Sequence, residues 1–136
     1  MEKKYQNMIA AAQKRRDELK KQLDPLRRER EIAGAEHQAL QRERAELQDK
    51  IKRFEADELD LSDQEFLDAE DRIRLLSVRS RRAGETYARA AGTLNKAEHE
   101  ANSELSQLHG QAMTEFDREQ RDTRAELDRA LRGLVA

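Results

Sequence analysis

The chain has 136 residues, of which 41% are charged, 36% are hydrophobic and 4% are aromatic, and its net charge is −2. This composition cannot fill a compact multilayer core, and the near-neutral charge indicates neither a nucleic-acid nor an anionic-membrane partner. A coiled coil, an isolated charged helix or a disordered chain remains. Because the sequence has no cysteine and no apolar run of transmembrane length, we expect a cytoplasmic protein without membrane insertion.

Two heptad series divide the chain. Mostly apolar residues recur every seven positions from Tyr5 to Leu61, and again from Phe66 to Leu108. Such spacing is typical of long helices that pair through an apolar seam. We therefore predict an all-α fold, a long antiparallel two-helix coiled-coil hairpin in which the second helix is longer. In this single domain, residues 1–136, helix 1 spans about 2–56, the turn about 57–62 and helix 2 about 63–132.

Pro25 lies inside the predicted first helix and allows two interpretations. Asp24 could cap a new helix with Pro25 in its first turn. Alternatively, the helix continues through Pro25 with a kink and one lost hydrogen bond. The heptad passes through this position in phase, so we expect the kinked helix.

The turn carries the most specific local pattern. Ser62 and Glu65 stand three positions apart, which is the spacing of a capping box. Leu61 and Phe66 occupy the positions of a hydrophobic staple around it. The second helix is therefore predicted to begin at about residue 63.

When the chain is folded about this turn, seam residues whose numbers sum to 120 should face each other. Phe54 then packs on Phe66, and Glu43 lies near Arg79. Large residues face small ones along most of the seam, as close packing requires. The seam also contains polar residues that we expect to be buried, with Arg16 opposite Glu104; these are Arg16, Arg30, His37, Arg44 and Glu104.

Two regions are left over by this pairing, and both are candidate partner-binding sites. Residues 117–136 have no partner on helix 1, yet they continue an amphipathic pattern, which favours protein binding or self-association. The alternative is a frayed C-terminal tail. The pattern comprises Phe116, Leu127, Ala130, Leu131 and Leu134. The other region is a waist rich in small residues, where Gly34 and Gly84 should face each other. It either accommodates Tyr87 and a close approach of the helices, or forms a docking groove for another helix or a bending point. It comprises Gly34, Gly84, Ala88 and Gly92.

The residue types that catalyse reactions or bind metals do not occur at the spacings that known sites require. His37, His99 and His109 have no second histidine or glutamate at metal-ligand spacing, and no phosphate-binding loop or nucleophile motif is present. We therefore predict a protein that is not an enzyme and that needs no metal or other cofactor.

The leading hypothesis is a non-catalytic structural or interaction protein. A rod-like hairpin with a longer second helix resembles in architecture the coiled-coil stalk proteins of flagellar and type III secretion export and the shafts of rotary ATPases. This resemblance implies an adaptor, stalk, scaffold or chaperone in secretion machinery; phage-type assembly is equally open. We expect a protein partner on the C-terminal helix and a homodimer or higher oligomer. The alternative is a nucleic-acid-associated regulator that uses the arginine clusters at 14–16, 27–28 and 79–82, although scarce aromatic residues and facing glutamates make this less favoured.

Overall fold

The computed structural model describes residues 3–135, and they form two helices. Helix α1 is Lys4–Glu55, with 52 residues, and helix α2 is Asp63–Val135, with 73 residues. The two helices contact each other as an antiparallel hairpin with a longer second helix, which confirms the predicted fold class. The predicted start of the first helix at residue 2 lies outside the described residues. Helix α2 continues three residues past the predicted end, to Val135.

Helix α1 continues through Pro25 without a break. Asp24, Pro25 and Leu26 are all helical, so Asp24 does not cap a new helix. The Asp24 carboxylate instead lies 3.8 Å from the Arg27 guanidinium, one turn further along the same helix. Proline removes one backbone donor, and helical continuation therefore depends on the apolar seam on either side of it.

Helix α1 ends in a Schellman motif at Asp57. The Glu58 amide donates to the Arg53 carbonyl at 2.8 Å, and the Asp57 amide donates to the Phe54 carbonyl at 3.1 Å. Asp57 has a φ of 57°, in the left-handed region that glycine usually occupies at this position. A non-glycine residue here is strained, and aspartate is one of the few that tolerates it.

Helix α2 begins with the capping arrangement that the spacing of Ser62 and Glu65 predicts. The Glu65 amide donates to Ser62 Oγ at 3.1 Å, and the Ser62 hydroxyl donates to the Glu65 carboxylate at 3.1 Å. Phe54 and Phe66, on either side of the turn, stack with ring centroids 5.3 Å apart. The first predicted layer of the seam is therefore present where the chain reverses.

The described residues group into two compact units, each containing part of both helices. Unit 1 comprises residues 3–23 and 96–135, and its buried positions are Leu19, Ala101 and Ala112. Unit 2 comprises residues 24–95. Its buried positions are Ala33, Leu76, Ser80, Ala83 and Leu94. Alanine supplies four of the seven buried apolar residues of the two units, so each core is narrow and little apolar area is buried per residue.

Candidate functional site

The C-terminal part of helix α2, in unit 1, has a helical face that no part of helix α1 covers. Every residue from Gln120 to Leu134 is exposed. Three leucines in this segment keep between about half and most of their surface in water: Leu127 at 59%, Leu131 at 51% and Leu134 at 83% exposure. With Ala130 they are spaced three and four residues apart, so they share one face of the helix. We call this set, Leu127, Ala130, Leu131 and Leu134, the C-terminal stripe.

Phe116 does not belong to this exposed surface, contrary to the prediction. Its ring packs on Tyr5 of helix α1 with centroids 5.0 Å apart, and it is only partly exposed. Two aromatic rings at this distance make a favourable tilted contact. The sum of 120 places residue 115 opposite Tyr5, so Phe116 lies within reach of the first turn of helix α1 and was wrongly counted among the unpaired residues. The uncovered segment therefore begins at residue 120 and not at 117.

Glutamates of helix α2 hold the beginning of helix α1. The Tyr5 amide donates to Glu119 Oε1 at 3.1 Å, and Glu115 lies 4.0 Å from the Lys4 ammonium. Helix α1 has no acidic residue in its own first turn, so its free amides and positive dipole end are met by a carboxylate from the other helix. Sequence reasoning missed this contact. Two features of the sequence could have predicted it: helix α1 has no acidic residue in its first turn, and acidic residues of helix α2 lie opposite that turn.

The segment from 120 to 134 depends on its own helix propensity. An isolated helix of about fifteen residues is marginal in water, because most helical stability in proteins comes from packing of an apolar face. Here that face, the C-terminal stripe, is in contact with water. A protein surface of this kind would gain both apolar burial and helical order from a partner that covers it.

Two glycines of the predicted waist, Gly34 and Gly84 in unit 2, each receive a ring from the opposite helix. A Cβ atom on Gly34 would lie 3.2 Å from Tyr87 Cε2, and one on Gly84 would lie 3.1 Å from His37 Nε2. The two glycines therefore face aromatic rings, whereas the sequence placed them opposite each other. This geometry supports accommodation of large side chains as their role. The other two small residues differ, because Ala88 is exposed and a Cβ atom on Gly92 would have no neighbour within 4 Å.

The predicted buried polar seam is present in part. Arg30, His37, Arg44 and Glu104 are all half-buried. Arg16 is not, since its side chain is 64% exposed and its nearest acidic neighbour is Asp17 at 3.9 Å. The prediction that Arg16 faces Glu104 is therefore wrong.

Arg15 takes the place predicted for Arg16. Its Nε donates to Glu104 Oε1 at 2.7 Å and its Nη2 donates to Oε2 at 3.3 Å, a two-pronged ion pair between the helices. The hydrogen bond from Arg15 lowers the pKa of Glu104, against a smaller opposing effect of desolvation. The seam shifts here by one residue, because Gln111, seven residues after Glu104, is exposed and Ala112 is buried instead.

The charged flank of unit 2 is offset from the predicted pairing. Arg72 Nε donates to Glu43 Oε1 at 3.0 Å, and its Nη2 lies 2.9 Å from the same oxygen. The prediction that Glu43 pairs with Arg79 is therefore wrong by seven residues of helix α2, about two helical turns. Arg79 and Arg82 instead line a groove with Glu36 of helix α1.

Among residues 3–135, no three histidine or carboxylate side chains converge closely enough to hold a metal ion. Neither helix, over its described length, has a stretch long and apolar enough to cross a membrane. Comparison with protein-family models, with curated proteins and with solved structures finds no match for the chain.

Proposed function

We propose that this protein is a non-catalytic interaction protein, a helical hairpin that serves as an adaptor, stalk, scaffold or chaperone within a larger cytoplasmic assembly. The observation that carries the proposal is the C-terminal stripe, an exposed row of leucines that lies beyond Glu119, the residue that accepts a hydrogen bond from the first turn of helix α1. A soluble helix rarely keeps a row of leucines in water without a partner. Secretion machinery and phage-type assembly are the two settings that this architecture suits.

The two ends of the hairpin differ in whether their helices are completed by contacts within the chain. At the turn, the Schellman motif, the capping box and the Phe54–Phe66 contact complete both helices within the chain. At the other end, only helix α1 is completed, through Glu119. Helix α2 continues with its apolar face uncovered. A partner protein is therefore expected to bind the continuing helix, with an amphipathic helix of its own as the simplest complement.

The test is affinity capture of the native complex with a stripe variant and a matched control. Leu127→Ser with Leu131→Ser removes two stripe leucines. Leu67→Ser with Leu75→Ser removes two leucines of similar exposure, 52% and 43%, from another part of helix α2. We expect the same partner to be recovered with the wild-type and control chains and to be lost with the stripe variant. Equal recovery with all three chains would mean that the stripe is not the binding surface.

Nucleic-acid binding is the second candidate function. Arg79, Arg81 and Arg82 are exposed, and the described residues offer none of them an ion pair. Such guanidinium groups could contact phosphates. In a fluorescence anisotropy titration with double-stranded DNA, this function requires binding at low salt that weakens steeply as salt is added and that is lost in the Arg79→Ala, Arg82→Ala variant. Absence of binding at low salt would remove this candidate.

A further inference from the structure

One side of unit 2 carries a groove between the two helices. Two neighbouring depressions form it, and they share Glu36 of helix α1 and Thr86 of helix α2 as lining residues. The seam beneath the groove contains small residues, Ala33 and Ala83, which are both buried. Its residues are distinct from those of the C-terminal stripe, which belongs to unit 1.

The two edges of this groove carry opposite charges. Glu29 and Glu36 stand along the edge formed by helix α1, and Arg79 and Arg82 stand along the edge formed by helix α2. Nearer the turn, the same two edges are joined by the ion pair between Glu43 and Arg72. Among the described residues, the four charges of the groove make no such pair. They are thus free to meet charges from outside.

An exposed isoleucine stands beside the acidic edge. Ile32 keeps 67% of its surface in water, in a depression that it lines together with Thr86 and Ala90. Among the large apolar residues of unit 2 it has the highest exposure. Next to an uncovered groove of opposite charges, it supplies apolar area that a docked partner would bury.

We propose that this groove is the docking site for a second copy of the chain, related by a two-fold axis parallel to the helices. This axis lays helix α1 of one copy over helix α2 of the other at the same level along the groove. Glu36 on the acidic edge then faces Arg79 and Arg82 on the basic edge, and symmetry repeats the contact. A two-fold axis across the helices would instead place glutamate on glutamate. The charge pattern therefore selects the first arrangement.

The same arrangement accounts for Ile32. Because Ile32 lies at the level of Thr86 and Ala90, it is placed over those two residues of the other copy. Both are small enough to leave space for its side chain between the helices. The interface thus has an apolar centre with a charged rim, as stable protein interfaces do. This inference goes beyond the proposed function, because it uses neither the C-terminal stripe nor its partner.

The test is analytical ultracentrifugation of two charge-reversal variants, alone and mixed. Glu36→Arg places a base on the acidic edge of the groove, and Arg79→Glu places an acid on the basic edge. We expect the wild-type chain to sediment with twice its own mass at micromolar concentration and low salt. Each variant alone should self-associate at least about tenfold more weakly, since each reversal turns two symmetric attractions into repulsions. An equimolar mixture of the two variants should regain the doubled mass as a heterodimer.

The controls are Glu31→Arg and Arg81→Glu, which make the same charge changes at exposed positions on other faces of the two helices. They should self-associate like the wild type, and circular dichroism should show equal helicity for all chains. A wild-type chain that stays monomeric would overturn the proposal. So would reversal variants that associate as tightly as the wild type, or a mixture that stays monomeric. A doubled mass that disappears on deletion of residues 120–136 would place the interface at the C-terminal stripe and would also overturn it, while leaving the proposed function intact.

Discussion

Replacing a glycine of helix α2 by alanine should have opposite effects at two positions eight residues apart. At Gly92 a new methyl group meets nothing within 4 Å. Alanine there should raise the free energy of unfolding by about 0.5–1 kcal/mol, because alanine loses less backbone freedom on folding than glycine does. At Gly84 the methyl carbon would lie 3.1 Å from His37 Nε2 and 3.4 Å from Cε1. Overpacking of this kind costs about 1–3 kcal/mol.

The net result at Gly84 is the difference between these two effects. Gly84→Ala should leave the protein between about 0 and 2.5 kcal/mol less stable than the wild type, since the same propensity gain offsets part of the overpacking cost. In a His37→Ala background the ring is gone, and Gly84→Ala should become stabilising by about 0.5–1 kcal/mol. The coupling energy between Gly84 and His37 is then about 1–3 kcal/mol.

The assay is urea unfolding followed by far-ultraviolet circular dichroism, at one fixed protein concentration because self-association would add to apparent stability. Gly92→Ala in both backgrounds is the control, and its effect should not depend on His37. Equal stabilisation by Gly84→Ala with and without the His37 ring would refute the reasoning. It would show that the ring moves aside without cost and that close packing does not constrain this part of unit 2.

Three further predictions concern the ends, the core and the ion pairs. Asp57→Gly should raise the free energy of unfolding by about 0.5–1 kcal/mol in the same urea assay, because glycine adopts the left-handed conformation at the end of helix α1 without strain; unchanged or lower stability would contradict this. Leu76→Ala should lower the free energy of unfolding by about 2–5 kcal/mol, because Leu76 is 0% exposed. Leu131 is 51% exposed, so Leu131→Ala should change the free energy of unfolding by less than about 0.5 kcal/mol. Similar losses at both positions would contradict the assigned burial. The pKa of Glu104 is lowered in the folded chain, so its ion pair stabilises the fold at pH values above the ordinary pKa of glutamate and loses its effect as the pH falls through the folded pKa. Arg15→Gln should move the pKa of Glu104 back towards its ordinary value in an NMR titration. An unmoved pKa would argue against the ion pair.

The hairpin was predictable because its pattern repeats. A heptad that holds its phase across Pro25 outweighs the local preference of one proline, and helix α1 is continuous there. The turn was predictable for a different reason, since Ser62 and Glu65 interact within one helical turn and need no tertiary information. The left-handed Asp57 has no comparable pattern, because glycine is the usual residue at that position.

Pairing between charged side chains was less predictable than pairing across the seam. Glu43 binds Arg72 and not Arg79, because long flanking side chains lean along their helices and can reach a neighbour about a turn away from the level of their own Cα atoms. Arg15 binds Glu104 in place of Arg16 for a related reason. A small drift from the heptad rotates the preceding residue of helix α1 into contact with helix α2. Both errors come from treating the register as uniform along the chain.

The centre of the candidate site was predictable from the sequence, but its predicted boundary was wrong. The leucines of the C-terminal stripe follow from helical spacing together with the length left over on helix α2. The inclusion of Phe116 failed because Tyr5, at the first turn of helix α1, still reaches it. The identity of a partner does not follow from either observation, since apolar helix faces of this size suit many complementary helices.

The most direct test of the central claim, that the C-terminal stripe is a partner-binding surface, is amide hydrogen exchange followed by mass spectrometry. In the isolated chain, we expect residues 120–134 to exchange much faster than residues 96–119, because only the latter segment packs against helix α1. In the complex captured from native cells, residues 120–134 should become protected. Fast exchange of this segment in the complex, or full protection in the isolated monomer, would contradict the proposed role of the stripe.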